Sequence, residues 1–320
     1  MRIASRQSPL AVAQAELVRH LLANALNVPE PLVEMSLPIY TYITSGDQNM
    51  SPSLADEGGK GLFTKEVEDA LLSRKADIAV HSMKDMPAAL PGGLIAAGVP
   101  ARAAPNDAFV SVDGRLLHEL AEGTIVGSSS TRRRAQLKRI RPDLNLAPMR
   151  GNVCTRLKKL ASGDADGTFL AEAGLSRLGR EDVKRQILPV TTMLPAIGQG
   201  TLCLEAREDD ERTLAACALI NCHNTALRNN AERGLLEALD GNCKTPLAGH
   251  AVMEGSNLSL QGELLTPDGS LSVTEKLTFT LSGNDMADLG SATQLGFRLA
   301  EALKQRAGAD IERMLAANGS

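Results

Sequence analysis

Through the first two thirds of the chain, short apolar or β-branched runs alternate with stretches whose apolar residues recur at helical spacing. That alternation leaves few options beyond βα units around a mainly parallel sheet. The strand-like runs are Arg2 to Ser5, Ile39 to Ile43, Ile78 to His81, Leu94 to Ala97, Ala108 to Val112, Thr124 to Gly127, Asn145 to Met149 and Thr168 to Ala171. Helical patterns follow several of them. Pro9 to Leu26 opens with Ser8 as a cap and proline in the first turn, and Phe63 to Ser73, Thr131 to Ile140 and Val153 to Ser162 read similarly. After about Cys217 the pattern changes to one helix from Asn224 to Asp240, alternating strands at Leu247 to Met253, Leu258 to Leu264 and Leu271 to Thr280, and a last helix from Ala292 to Gln305. That predicts a separate α+β unit. The Pro- and Ala-rich run from Gly98 to Pro105 reads as a hinge between one sheet and the next, with a second crossing near Leu194 to Gly198.

A chain of 320 residues accommodates two or three domains, and 43% hydrophobic with 22% charged residues is an ordinary globular balance that excludes disorder. No apolar run nears the roughly 20 residues of a membrane span, and the start runs straight into a strand, so a cytoplasmic protein without a signal peptide is expected. The five cysteines are odd in number and scattered, which suits reduced thiols. Cys217, Cys222 and His223 lack paired metal-ligand spacing, and no metal is expected. Although the formal net charge is −4, ten basic residues face one acid between Ser128 and Lys159. With no Trp, two Tyr and five Phe there are few rings on which bases could stack, so this segment suits a compact polyanionic small molecule better than nucleic acid.

In open α/β sheets, ligands bind beyond the carboxyl ends of strands, where helix N-termini offer unpaired N–H groups. Three such ends carry arginine: Arg6-Gln7-Ser8, Ser128 to Arg133, and Arg150-Gly151-Asn152. A guanidinium fork grips a carboxylate through two hydrogen bonds, so together they describe a site for several carboxylates; any one alone reads equally as a solvated surface residue. Lys138, Arg139, Lys158 and Lys159, inside helical patterns, read as exposed faces. His81-Ser82-Met83-Lys84-Asp85 puts a hydroxyl, an ammonium and a carboxylate at a further strand end. Asp85 facing cations would stay ionised and could stabilise positive charge on a substrate; its bland role is a turn or cap before Pro87.

Gly58-Gly59-Lys60-Gly61 fails the phosphate-loop spacing, because Leu54 stands where the first glycine is needed. A loop covering a site and a plain surface loop both remain open. Cys243 lies in a turn, Gly241-Asn242-Cys243-Lys244, where Lys244 favours the nucleophilic thiolate; an inert thiol is the alternative.

These segments, in this order, resemble the porphobilinogen deaminase family over essentially the whole chain. The carrying motifs are Ala4 to Leu10, Gly58 to Phe63, Asp77 to Asp85, Gly127 to Arg133, Arg150-Gly151-Asn152, Leu194 to Gly200 and Gly241-Asn242-Cys243. The resemblance implies an α/β fold of two lobes similar to type II periplasmic binding proteins plus a small α+β C-terminal domain, divided as 1–97 with 195–216, 98–194, and 217–320. It also implies a dipyrromethane cofactor joined by a thioether to Cys243, on which four porphobilinogen molecules condense with loss of ammonia before water releases hydroxymethylbilane. Carried over by motif, Asp85 is the catalytic carboxylate; Ser82, Lys84, Ser129, Arg132, Arg133 and Arg156 hold the cofactor; and Arg6, Ser8, Arg150, Arg177 and Lys60 meet substrate. A monomer acting on a small molecule, with neither membrane nor nucleic acid as partner, is implied. Asn242, Cys154 and Arg134 depart from the family pattern, and Arg134 leaves open which neighbouring arginines point inward, with Arg132 and Arg133 taken first.

Two rivals remain: a non-catalytic small-anion binder of the same two-lobed fold, which has no use for Cys243, and a nucleic-acid binder using the basic segment. The second predicts binding that weakens steeply with salt and survives Asp85→Ala, whereas the enzyme reading predicts a folded, inactive variant.

Overall fold

The computed structural model describes residues 1–44, 64–239 and 245–315. They fall into two compact units, Met1–Ala103 with Thr201–Ala226, and Ala104–Gly200 with Leu227–Ser320. The first division lies inside the Pro- and Ala-rich hinge, and the second just after the predicted crossing.

The first unit holds one five-stranded sheet built from β1 (Ile3–Arg6), β2 (Ile39–Tyr42), β3 (Ile78–Ser82), β4 (Leu94–Gly98) and β10 (Leu202–Arg207), in the order β2-β1-β3-β10-β4. β1 lies parallel to β2 and β3, while β10 runs antiparallel to β3 and β4. The helix Pro9–Ala25 begins where Ser8 accepts the Ala11 N–H, and it buries Ala15, Val18 and Leu22 against Ile3, Ile78 and Leu204. The helix Lys65–Leu72 covers the opposite face through Val67 and Leu71. β3 and β10 are buried along nearly their whole length, as strands covered on both faces must be.

The second unit repeats that arrangement with β5 (Asp107–Ser111), β6 (Ile125–Gly127), β7 (Asn145–Ala147), β8 (Gly167–Ala171) and β9 (Gln186–Ile187), in the order β7-β6-β8-β5-β9. β6 is parallel to β7 and β8, and β5 is antiparallel to β8 and β9. Order and sense match the first sheet strand for strand. In each sheet the one strand set against two antiparallel neighbours stands next to a chain crossing: β5 follows Ala104, and β10 follows Thr201. The same unit contains a separate antiparallel sheet, β11 (Leu247–Glu254), β12 (Asn257–Leu265) and β13 (Ser272–Thr280). Its core of Leu258, Leu260 and Leu264 packs on Leu227, Leu235, Leu295, Leu299 and Leu303 from the helices His223–Ala238 and Asp285–Ala307. β13 alternates half-buried and exposed residues, the pattern of a sheet covered on one face. The α/β class, the paired lobes and the small α+β unit expected from the sequence are all there.

Asp107, at the start of β5, is fully buried. Arg132 Nη1 donates to one carboxylate oxygen at 2.8 Å, and Arg133 donates to the other from Nε and Nη2 at 3.0 and 2.6 Å. The same groups reach backbone: Arg132 Nη1 donates to Leu194 O at 2.8 Å and Arg133 Nη1 to Phe169 O at 2.8 Å. Gln199 Nε2 donates to Pro105 O at 2.6 Å and to Asp107 at 3.2 Å, and Gln136 exchanges hydrogen bonds with the Leu194 backbone in both directions. One buried carboxylate thereby ties together 105–107 and 194–199, the segments of the second unit that lie next to the two crossings.

Burial alone would raise the Asp107 carboxyl, but the Arg132 and Arg133 guanidinium groups overcome it and hold it well below the usual carboxylate range. A folded-state pKa below the unfolded value of about 3.9 contributes stability in full above that pH and loses it as the pH falls toward the lowered value. Asp107→Asn, which leaves two buried guanidinium groups without their counter-charge, is expected to cost about 3–5 kcal/mol in urea unfolding at pH 7. The difference from the parent should shrink as the pH drops below about 4.

Candidate active site

At the carboxyl edge of the first sheet, β1 and β3 end side by side and bring two turns together. Arg6, Ser8, Gln14, Thr64, His81, Ser82 and Asp85 line one recess of about 400 Å3, counting its open mouth. Asp85 faces outward for a packing reason. Its turn is pinned on both sides by Met83 and Met86, which are buried with Val99 and Cys203, and Met83 N–H donates to Thr201 O at 3.0 Å. The Asp85 carboxylate is exposed and makes no hydrogen bond or ion pair with any described residue. Gln14 Nε2 donates to Ser82 Oγ at 2.9 Å, fixing that hydroxyl in the recess wall. Ser8 is committed to capping the helix behind it. Arg6 and Lys84 are half-buried.

The second sheet presents the equivalent edge. β6 leads through Ser128 to Ser130 into the helix Thr131–Ile140, capped where Ser130 accepts the Arg133 N–H. β7 leads through Arg150 into the helix Val153–Ala161, capped where Asn152 accepts the Thr155 N–H. Ser129 Oγ accepts the Met149 N–H at 3.1 Å, so the two turns are held as one surface. Gly151 has φ +119°, and a Cβ there would lie 2.7 Å from the Thr155 side chain, so this turn admits only glycine. Arg156 Nε donates to Gly151 O at 2.8 Å and Arg134 Nη1 to Ser128 O at 3.3 Å. Arg150 is half-buried and has no hydrogen bond or ion pair among the described residues.

Arg177 ends the helix Glu172–Arg177. Its Nη2 donates to Gly200 O at 2.7 Å, while its Nε is buried without a hydrogen-bond partner. No carboxylate among the described residues pairs with it, and burial pushes the guanidinium down to about 10. A desolvated cation without a counter-charge is costly, and an anionic ligand is the direct way to satisfy it.

Arg132 and Arg133, expected to hold the cofactor, are both buried and paired with Asp107, and Arg132 Nε is left without a hydrogen-bond partner among the described residues. The reason is electrostatic, since a carboxylate with no access to water needs close cations, and the two arginines one helical turn past β6 are within reach. Arg134, set aside in the sequence, is the member of the triplet left half-buried at the turn. The helix lysines also find structural work: Lys138 Nζ donates to Pro142 O and Leu144 O, and Arg139 pairs with Glu263 at 3.2 Å. Lys60 and Cys243 lie outside the described residues. Sequence reasoning missed Asp107, and the Pro-Ala-Ile-Gly-Gln-Gly run carrying Gln199 was the available signal.

Residues 1–215 match the family described as "Porphobilinogen deaminase, dipyromethane cofactor binding domain", and residues 226–305 match "Porphobilinogen deaminase, C-terminal domain". The chain is 46% identical over 311 residues to a porphobilinogen deaminase of Paracoccus denitrificans, covering 97% of this chain and 96% of that one. It is 42% identical over 314 residues to a porphobilinogen deaminase of Caulobacter vibrioides, covering 96% of each. Among solved structures, an ABC transporter periplasmic binding protein from Brucella ovis with glutathione bound aligns with 77% of this chain and 74% of its own, at 14% identity and a TM-score of 0.42.

The buried and the unpaired arginines should separate cleanly in unfolding experiments. Arg150→Gln is expected to change stability by no more than about 0.5 kcal/mol, and Arg133→Gln to lose about 3–5 kcal/mol, both read from urea midpoints at constant m-value.

Proposed function

The chain belongs to the porphobilinogen deaminase family, and from that premise we propose how its residues divide the work of hydroxymethylbilane synthesis: four porphobilinogen molecules joined head to tail with loss of ammonia, then release by water. The observation that carries the assignment of the site is the Asp85 carboxylate, in the turn after β3, which pairs with no described residue and shares a recess with Arg6. An ionised carboxylate there accepts pyrrole N–H hydrogen bonds and stabilises the cation formed as the amine departs. In its protonated form it delivers the proton that lets nitrogen leave as ammonia. Arg6 takes a substrate carboxylate, with Lys60 a second cation for substrate and Ser8 fixing the turn.

A dipyrromethane group, rich in carboxylates, fits the donors present: Arg150 and Arg177, neither with a counter-charge among the described residues, both call for anions. When bound through the thioether at Cys243, it supplies the pyrrole carbon on which the chain is extended. Lys84, Ser129, Arg150, Arg156 and Arg177 would hold its carboxylates, with Ser82 and Asp85 toward its ring nitrogens. Arg134 joins that set from the Ser128 turn. Arg132 and Arg133 act through Asp107, keeping the turns in place rather than binding directly. The reading includes three functional modules, 1–97 with 195–216, 98–194, and 217–320, the last bearing Cys243. It also includes action as a cytoplasmic monomer on porphobilinogen, with neither membrane nor nucleic acid as partner.

Intact-mass measurement tests the anchor. The parent chain should exceed its polypeptide mass by two linked pyrrole units, while Cys243→Ser should sit at the bare mass and be inactive; bilane formation by that variant contradicts the assignment. Asp85→Asn should keep the adduct and the fold but lose roughly 10^2-fold or more in turnover.

A further inference from the structure

Behind Asp85 lies a group of ionisable side chains that the functions above leave unused. His81, one residue before the end of β3, has a side chain only 4% exposed, yet its ring lines the same recess as Asp85 and Arg6. Its Nε2 lies 2.9 Å from Glu205 Oε2 on the neighbouring strand β10, and Glu205 is fully buried. No described residue hydrogen-bonds the other ring nitrogen, Nδ1. Glu205 Oε1 is buried and without a hydrogen-bond partner, and so is Glu68 Oε1 on the helix Lys65–Leu72. Burial pushes the Glu68 carboxyl up, with the Glu205 charge adding to the effect and His81 opposing it. Two carboxyl groups and an imidazole therefore share one dry space.

We propose that His81, oriented by Glu205 and backed by Glu68, is the proton carrier that returns a proton to Asp85 between successive condensations. The proposal rests on Asp85 being the catalytic carboxylate. A carboxylate bonded to one imidazole nitrogen fixes the ring and strengthens its other nitrogen as a base, and here that other nitrogen belongs to a ring in the wall of the recess. Over one condensation the protons balance. The Asp85 carboxyl gives its proton to the leaving amine, which departs as ammonia when its bond to the methylene carbon breaks. The new carbon–carbon bond displaces one hydrogen as a proton from the acceptor pyrrole. His81 Nδ1 takes that proton, the imidazolium is held by Glu205, and it passes the proton to the Asp85 carboxylate, directly or through one water. A site that repeats its chemistry needs such a reset in every round.

The charged groups facing His81 are Glu205 from β10, Glu68 from the covering helix, Arg6 from the end of β1, and Asp85 on its own turn. Glu205→Gln keeps the shape and a hydrogen bond but removes the charge. It should lower kcat at least tenfold with KM changed less than about twofold and thermal stability retained. His81→Asn should lower kcat by about 10^2-fold, and His81→Gly should regain part of its turnover on addition of free imidazole. In substrate-free holoenzyme, the imidazole 15N resonances of His81, identified by their loss in His81→Asn, should move in Asp85→Asn. Parent-like kcat for His81→Asn and Glu205→Gln beside a crippled Asp85→Asn overturns this proposal alone. So does a fall in kcat that tracks loss of thermal stability and is not rescued by imidazole. Full turnover by Asp85→Asn overturns the site assignment and this proposal with it.

Discussion

A carboxylate shut away from water stays ionised only if cations stand against it, and that requirement at Asp107 organises the second lobe. Two arginines from one helix turn are drawn inward to meet it. In doing so they carry hydrogen bonds to Leu194 and Phe169, and Gln199 closes on the same carboxylate. The helix that supplies them begins at the Ser128 to Ser130 turn, so the position of a ligand-facing turn depends on an ion cluster buried behind it. Breaking such a cluster from one side leaves uncompensated charge, which is why its members behave as one unit.

The cations of this protein accordingly serve two purposes that composition cannot distinguish. Arg132, Arg133 and Arg207 are buried and paired with acids and carbonyls of the frame. Arg150 carries no ion pair among the described residues and Arg177 is buried without a counter-charge, so both retain capacity for a ligand. The two sheets, alike in order and sense, place these groups and Asp85 at corresponding carboxyl edges.

Much of this was legible beforehand, and the reasons can be given residue by residue. The alternating runs gave their strands to within a residue or two because parallel strands covered on both faces must be continuously apolar, as Ile78 to Val80 are. The helix ends at Ser8, Ser130 and Asn152 were readable because capping is local chemistry. The helix expected from Ala292 starts at Asp285, since the Asn284 cap outweighs the helix-weakening Gly290 and Ser291, and a short helix, Ile311–Leu315, follows it. Strand β9 is two residues long and exists only through its pairing with β5, which no local pattern announces. The pairing of Arg132 and Arg133 with Asp107 was not legible for a similar reason: Arg132 and its partner stand 25 residues apart in sequence. His81 belonged to a recognised motif, but Glu205, on a strand 124 residues later, is what gives it chemical meaning.

The account's central claim is that Arg132 and Arg133 hold the frame while Arg134, Arg150, Arg156 and Arg177 hold the ligand. A crystal structure of the chain carrying its dipyrromethane tests it most directly. The account predicts Arg132 and Arg133 still on Asp107, with the carboxylates of the bound group on Arg134, Arg150, Arg156 and Arg177 and the Asp85 carboxylate within hydrogen-bond reach of pyrrole nitrogen. Finding Asp107 released, with both of its arginines turned onto the bound group, would contradict it.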